Sequence, residues 1–293
     1  MSGDPSGRPT VRARTFAATP MRVLRLDPIP IRTLPYRAAR SGGGVARWTL
    51  PILRGEVDAL PPALDALLVT SDLQGVADHE GEPVLLGVAL ASYLKELAAS
   101  GALPPLDRTG VLLAGDLYSA PGADVRGASG DVRAVWHAFA RAHRWVAGVQ
   151  GNHDTFGDEP RWATSAGIDL LDGATVERDG LRVGGIGGIV GDPRKPRRKS
   201  PRDFTRMTRA VLRERPDVLV LHGGPDVDGR RGNADVRRAL DRSGPVLVVC
   251  GHAHWDDPLA DVRGGAQVLN VDGRVAVLGR AGGSAALRAA VVG

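Results

Sequence analysis

Five apolar runs in this chain stop at residues able to do metal or acid–base chemistry. Ala66 to Thr70 runs into Ser71-Asp72-Leu73-Gln74-Gly75, Val111 to Ala114 into Gly115-Asp116, and Trp145 to Val149 into Gly151-Asn152-His153-Asp154. Val218 to Leu221 runs into His222-Gly223-Gly224, and Val246 to Cys250 into Gly251-His252-Ala253-His254. A short apolar run that ends at Gly or Asn reads as a buried strand delivering polar side chains to its C-terminal end. Open α/β sheets place their chemistry at that edge. Taken singly, each of these residues fits an ordinary capping or hydrogen-bonding role. Five ends of one kind, holding four of the seven histidines, argue for one shared site. Carboxylate, imidazole and amide oxygen together suit borderline divalent metals such as zinc, manganese or iron. His252 and His254 would leave the same face of an extended segment, because strand side chains alternate.

The elements between these ends must hold them in place. Leu85 to Ser100 has the apolar spacing of a helix, with Gly101 as its stop. Asp131 to His143 is a second helix, with Val132, Val135, Trp136 and Phe139 on one face. From Gly167 to Val190 the period shortens toward two, and Asp179-Gly180 predicts a hairpin turn. Residues 202–215 form a basic helix before Pro216, and Ala234 to Arg242 a short one. Gln267 to Leu278 reads as another hairpin, turning at Asp272-Gly273. Near the start, Val23, Leu24, Leu26, Ile29 and Ile31 predict a strand, placed at an edge by Pro28 and Pro30. Residues 41–62 read as a Gly- and Pro-containing connection without an assigned role. Strand and helix alternate throughout, so the fold class is α/β. No linker splits the core, which predicts one domain over residues 21–293.

Composition bounds the function. A chain of 293 residues, 43% hydrophobic and 24% charged, is that of a soluble globular protein with a sizeable core. No apolar run approaches the roughly 18–20 residues of a membrane span. The single cysteine, Cys250, excludes an intramolecular disulfide framework and fits a reducing, cytoplasmic setting. Residues 1–20, rich in Gly, Pro, Ser and Arg, read as a disordered extension. No apolar stretch follows them to make a secretory signal. Residues 194 to 215 hold ten Lys/Arg against two acids, so this one segment exceeds the whole chain's +5. Prolines among Arg194, Lys195, Arg197, Arg198 and Lys199 suggest a mobile loop. The loop reads either as an electrostatic funnel for a nucleotide or nucleic acid, or as a solvated basic face. Aromatic residues to stack bases are scarce there, with Phe204 alone in the segment.

The ordered motifs Asp72-Leu73-Gln74, Gly115-Asp116, Gly151-Asn152-His153-Asp154, His222-Gly223 and Gly251-His252-Ala253-His254 resemble those of the calcineurin-like metallophosphoesterases. Within that superfamily they are most similar to the bacterial phosphoesterases related to the cyclic-nucleotide phosphodiesterase Icc. The resemblance covers roughly residues 64 to 280 and implies a two-sheet β-sandwich flanked by helices. It also implies two divalent ions bridged by Asp116. One would be held by Asp72 and His254, the other by Asn152, His222 and His252. His153 would face the scissile phosphate, oriented by Asp154. A hydroxide activated by the two ions would attack phosphorus in line with the leaving oxygen, without a covalent intermediate. Tyr118, Arg194 and Trp255 would lie along the substrate, although Tyr118 and Trp255 fit a packing role equally well.

The family's first motif usually reads Asp-x-His, and here position 74 is glutamine. Gln74 would coordinate directly or through water, tilting the site toward manganese or magnesium, with iron and zinc as alternatives. His79, five residues on, is a candidate to compensate. The resulting expectation is a phosphodiesterase acting on a phosphate ester, with a nucleotide as a candidate substrate and no membrane partner. Its rivals are a nuclease using the basic 194–215 segment and a non-catalytic scaffold of the same fold.

Overall fold

The computed structural model describes residues 21–157 and 167–282, so the stretch 1–20 lies outside the described residues. The chain opens with β1 (Val23–Leu26), β2 (Arg32–Ala39) and β3 (Val45–Val57). The expected connection 41–62 is thereby corrected, since most of it is the 13-residue strand β3. β2 and β3 pair from Arg32 opposite Ile52 to Ala39 opposite Val45, with the turn made at Gly43 and Gly44 in left-handed backbone. Pro51 and the glycine run read locally as breakers. What makes β3 a strand is its second neighbour, which pairs with Ile52 to Val57 and buries them.

The next elements carry the first three motifs. They are β4 (Ala66–Ser71), β5 (Val76–His79), β6 (Glu82–Leu85), α1 (Leu86–Ala99), β7 (Thr109–Leu113), β8 (Gly130–Asp131), α2 (Arg133–Ala142), β9 (Trp145–Gly148) and β10 (Asp154–Thr155). Then come β11 (Ile168–Leu170), β12 (Ala174–Arg178), β13 (Leu181–Ile186), β14 (Ile189–Val190), β15 (Arg198–Lys199) and α3 (Pro201–Arg213). The last group is β16 (Val218–Gly223), α4 (Ala234–Leu240), β17 (Leu247–Gly251), β18 (Leu259–Asp261), β19 (Gln267–Asn270) and β20 (Arg274–Arg280). β12 and β13 form the expected hairpin around Asp179-Gly180. α3 starts where Ser200 caps the Asp203 N–H ahead of Pro201, and it buries Phe204, Thr208 and Val211 while its arginines face out.

Two mixed sheets result. The larger runs β11-β9-β7-β4-β20-β3-β2-β5-β6, with β1 on β3, and the smaller runs β12-β13-β16-β17-β19-β18. Strand alternation gives each inner strand two apolar faces. In β4, Ala66 and Leu68 pack toward α1 and α2, whereas Leu67 and Val69 pack toward the second sheet. In β16, Val218 and Val220 meet the first sheet, whereas Leu219 and Leu221 pack with Phe204 of α3 and Val236 of α4. Helices, two sheets and helices thus stack around three apolar layers, the αββα arrangement expected. No helix among the described residues is long and apolar enough to cross a membrane.

One expected hairpin is absent. β19 pairs with β17 and β18 in the small sheet, while β20 pairs with β3 and β4 in the large one. Asp272-Gly273 therefore carries the chain from one sheet to the other. A turn signal is local, but which strand an apolar segment joins depends on where it buries both its faces. The crossing brings Asp272 beside Ser71, at the edge where the motifs end.

Candidate metal centre

The motifs lie where β4, β7, β16 and β17 end and where the turn after β9 begins. Three of the motif residues have left-handed backbone: Asp72 at φ 55°, Asp116 at φ 55° and His252 at φ 67°. Such a conformation costs a non-glycine residue about 1–3 kcal/mol and persists only where surrounding contacts enforce it. The glycines between the motifs allow those contacts. A Cβ on Gly151 would stand 2.0 Å from Asp116 Oδ1, and one on Gly251 2.2 Å from Asp72 Oδ2. Each glycine lets one motif turn pack against the carboxylate of another.

Asp116, His222 and His252 present ligand atoms within 4.8 Å of one another. His222 is fully buried, and its Nδ1 lies 2.8 Å from the Ala114 carbonyl, which fixes the proton there and turns Nε2 toward Asp116 Oδ2 at 3.2 Å. Neutral His222, protonated on Nδ1, leaves its buried Nε2 without a hydrogen to share with the facing Asp116 carboxylate, and Asn152 Oδ1 is buried without a hydrogen-bond partner. A buried polar atom left unpaired costs about 1–3 kcal/mol. Two of them beside a carboxylate and a second imidazole form a donor set that fits a divalent cation.

The electrostatics follow from burial and from these neighbours. Burial works against the His222 imidazolium, but the Asp116 and Asp72 carboxylates outweigh it and push its pKa up to about 10. Burial alone would raise Asp116, yet the His222 charge and hydrogen bonding hold it at about 2. Asp72 is driven well above the ordinary carboxylate range by burial, with the charges of Asp272 and Asp116 adding to it. His252 is pulled down to about 4 by burial and by the neighbouring His222 charge.

The first motif and the last histidine are held differently. Asp72 Oδ2 accepts from Ser71 Oγ at 2.6 Å and from the His252 N–H at 2.9 Å. Gln74 reaches the centre, with its Nε2 at 3.4 Å from Asp116 Oδ2. His254 does not join the Asp116–His222–His252 group. Its half-exposed ring has Nδ1 3.0 Å from Asp272 Oδ2, and the Arg274 guanidinium lies 3.4 Å from both ring nitrogens. The expected common face for His252 and His254 fails because β17 ends at Gly251 and His252 turns left-handed. His79 does not compensate for Gln74. It lines a separate cavity with Lys95 and Arg141 and lies 4.0 Å from Glu80.

His153 donates its backbone N–H to Asp116 Oδ1 at 2.9 Å, and its Nδ1 lies 3.2 Å from Ser129 Oγ. Ser129, which the sequence did not single out, is thus the side chain that orients the ring. Asp154 has another task. Its Oδ2 accepts from the N–H groups of Asp116 and Gly151, both at 2.8 Å, and its Oδ1 from Leu117 at 2.7 Å. The carboxylate staples the second motif to the third, and burial, reinforced by Asp116, raises its pKa to about 6. Asp154 is fully buried among these N–H groups, whereas the His153 ring is half-buried beside Gly127 and Ser129.

The expected substrate contacts sort into packing and surface roles. Trp255 is 2% exposed and donates its indole N–H to the Arg231 carbonyl, so it is a core residue and not a substrate wall. Tyr118 packs its ring against Gly130, where a Cβ would meet it at 2.2 Å. Arg194 is exposed and tied to Asp192 through three hydrogen-bonding nitrogens. From the same segment it is Arg197 that reaches the motifs, donating from Nε to the Asn152 carbonyl at 3.1 Å. No local sequence signal separates Arg197 from its basic neighbours.

No curated protein sequence matches the chain. Among solved structures it is similar to the sulfate thiohydrolase SoxB of Thermus thermophilus in complex with glycerol, at 17% identity and a TM-score of 0.41. That similarity covers 75% of this chain and 58% of the other, so the chain spans little more than half of that protein's length. The calcineurin-like phosphoesterase family matches residues 66–256, from the first motif-bearing strand to just beyond His254. A match over that much of the sequence places the chain in the calcineurin-like phosphoesterase family.

Proposed function

We propose that this protein is a metal-dependent phosphodiesterase, similar in its motif order to the Icc-related bacterial enzymes. The observation that carries the reading is the buried, unpartnered Asn152 Oδ1 together with the buried His222 Nε2 that faces Asp116. Asp116, Asn152, His222 and His252 would hold one divalent ion. Asp72, Gln74 and His254 would hold a second, sharing Asp116. Gln74 must turn its amide over to offer Oε1, and that hard oxygen favours manganese or magnesium. Ions bound there would neutralise phosphate charge and lower the pKa of water to near neutrality.

The chain's own residues then supply position and a proton. To act as a general acid His153 would enter as the imidazolium, with its Nδ1–H donating to the Ser129 hydroxyl oxygen and its Nε2–H directed at the leaving group. That proton passes to the leaving oxygen as the ester bond breaks, a contribution of about 10²–10⁴ in rate. Asp154 keeps the Asp116 and Gly151 turns at a fixed separation throughout.

The test is hydrolysis of bis-p-nitrophenyl phosphate and p-nitrophenyl phosphate by metal-stripped protein. Manganese, zinc, magnesium and iron are re-supplied separately, with Asp116→Asn as control. Diester cleavage that returns with metal and is lost in the control supports the proposal. Protein that binds no ion and cleaves neither ester would be a scaffold instead.

A second reading, a nuclease, draws on the β2–β3 hairpin. Residues 28–55 hold five arginines and no acid. Trp48 on this hairpin is 51% exposed, and its Ser41 meets Arg126, beside the Gly127 that abuts His153. A steep fall of oligonucleotide cleavage with salt, set against salt-insensitive cleavage of small esters, would favour this reading.

A further inference from the structure

Arg197 is held in place at some conformational cost. Its backbone is left-handed at φ 55°, an unusual state for a long side chain. Its carbonyl accepts from the Ile189 N–H at 3.1 Å and lies 2.1 Å from where a Cβ on Gly188 would be, so only glycine fits there. The following residues, Arg198 and Lys199, pair in parallel with Ile189 and Val190. Gly188 in turn donates to the Gln150 carbonyl at 2.8 Å. The clip from Gly188 to Lys199 is therefore fastened to the turn of the third motif at two points, Gln150 and Asn152.

Two of its neighbours in the basic segment have carboxylate partners. Arg194 pairs with Asp192, and Lys199 pairs with Asp172 while also donating to the Gly187 carbonyl. Arg197 has no carboxylate partner among the described residues. Among the described residues its one side-chain hydrogen bond goes from Nε to a neutral carbonyl, that of Asn152, next to His153. A neutral donor would serve that bond as well. A half-buried guanidinium fixed by Nε, whose Nη groups have no hydrogen-bond partner among the described residues, presents a planar pair of donors suited to two oxygens of one phosphate.

We propose that Arg197 binds the phosphate group of the substrate, with its Nη donors on the non-bridging oxygens, while its Nε keeps Asn152 in place. The assignment deepens the phosphoesterase reading above and rests on it. It also changes the meaning of the basic segment. One arginine of the ten Lys/Arg acts at the site, and the surrounding clip exists to aim it.

The experiment is calorimetric titration of manganese-loaded protein with inorganic phosphate, for the unaltered chain, Arg197→Lys and Arg197→Gln, with bound metal and thermal midpoint measured in each. Arg197→Gln is expected to weaken phosphate binding about ten- to a hundredfold, in the range of a lost charge-assisted bond. Arg197→Lys, which keeps the charge without the fork, should lose less, and metal content should hold in both. The proposal is overturned if the unaltered protein binds no phosphate. It is equally overturned if Arg197→Gln binds phosphate as before, or loses metal in step with phosphate, which would make Arg197 only a prop for Asn152. Arg197-dependent phosphate binding without hydrolysis of any ester would sink the hydrolase reading and leave this one standing. Ester hydrolysis indifferent to Arg197→Gln would do the reverse.

Discussion

The two halves of the candidate centre are built in opposite ways. Beside Asp116 and His252, the Asn152 Oδ1 and the neutral His222 Nε2 stay buried without a hydrogen-bond partner. Asp72, Gln74 and His254 instead have partners from the chain itself: Ser71, the Asp116 carboxylate, and the Asp272–Arg274 pair. The first arrangement costs folding energy that a cation would return. The second is satisfied as it stands and must exchange protein bonds for coordination. The inference is a tight site beside a looser one, with Asp116 common to both.

Removing the shared carboxylate should erase the difference altogether. Asp116→Asn is expected to lose both ions and to cut turnover by more than about 100-fold, beyond what an outer-shell partner costs. Elemental analysis of the dialysed variant checks this, and retention of one full equivalent would mean Asp116 is not shared. His153→Ala should reduce diester turnover by about 10²–10⁴ with both ions retained, because the ring moves a proton and binds no metal. Metal loss in that variant would contradict the assignment.

Single ligands should then separate the halves. His222→Ala is expected to empty the tight site, whereas His254→Ala should weaken only the loose one, about 10–100-fold, judged by two-site metal titration. Equal losses would break the comparison. The pH dependence sharpens it further. The folded pKa of His222, about 10, stands above its ordinary 6.5, so metal-free protein gains stability from this group fully below pH 6.5 and loses it as pH rises through about 10. At pH 8 a metal entering the tight site must therefore displace a proton from His222. Calorimetry in buffers of differing ionisation enthalpy should show close to one proton released, and His222→Ala should release none. The smallest effect is expected from Gln74→His, which should tighten the loose site severalfold by replacing an amide with imidazole. An unchanged titration would mean position 74 does not reach the ion.

Much of this organisation was legible because it is written in local pattern. The ends of β4, β7, β9, β16 and β17 each showed an apolar run stopping at a reactive residue, and the apolar spacing of α1 and α2 marked their buried faces. What escaped was set by partners far along the chain. β3 read as a loop because its partner β20 lies more than 200 residues away. Asp272 read as a hairpin turn because nothing nearby indicates that β19 and β20 belong to different sheets. Asp154 looked like an orienting carboxylate, and only the approach of the Asp116 turn made it a staple.

The sequence by itself determined the α/β class, the layered order of strands and helices, and the residue types gathered at one edge, since these follow from hydrophobic period and from what glycine permits. Tertiary structure decided which of those residues meet. It turned His252 toward His222 and His254 to Asp272, gave Ser129 to His153, and chose Arg197 from a run of basic neighbours. The reason is physical: periodicity fixes which face a side chain leaves from, whereas a contact such as His252 N–H to Asp72, 180 residues apart, exists only once two sheets have packed.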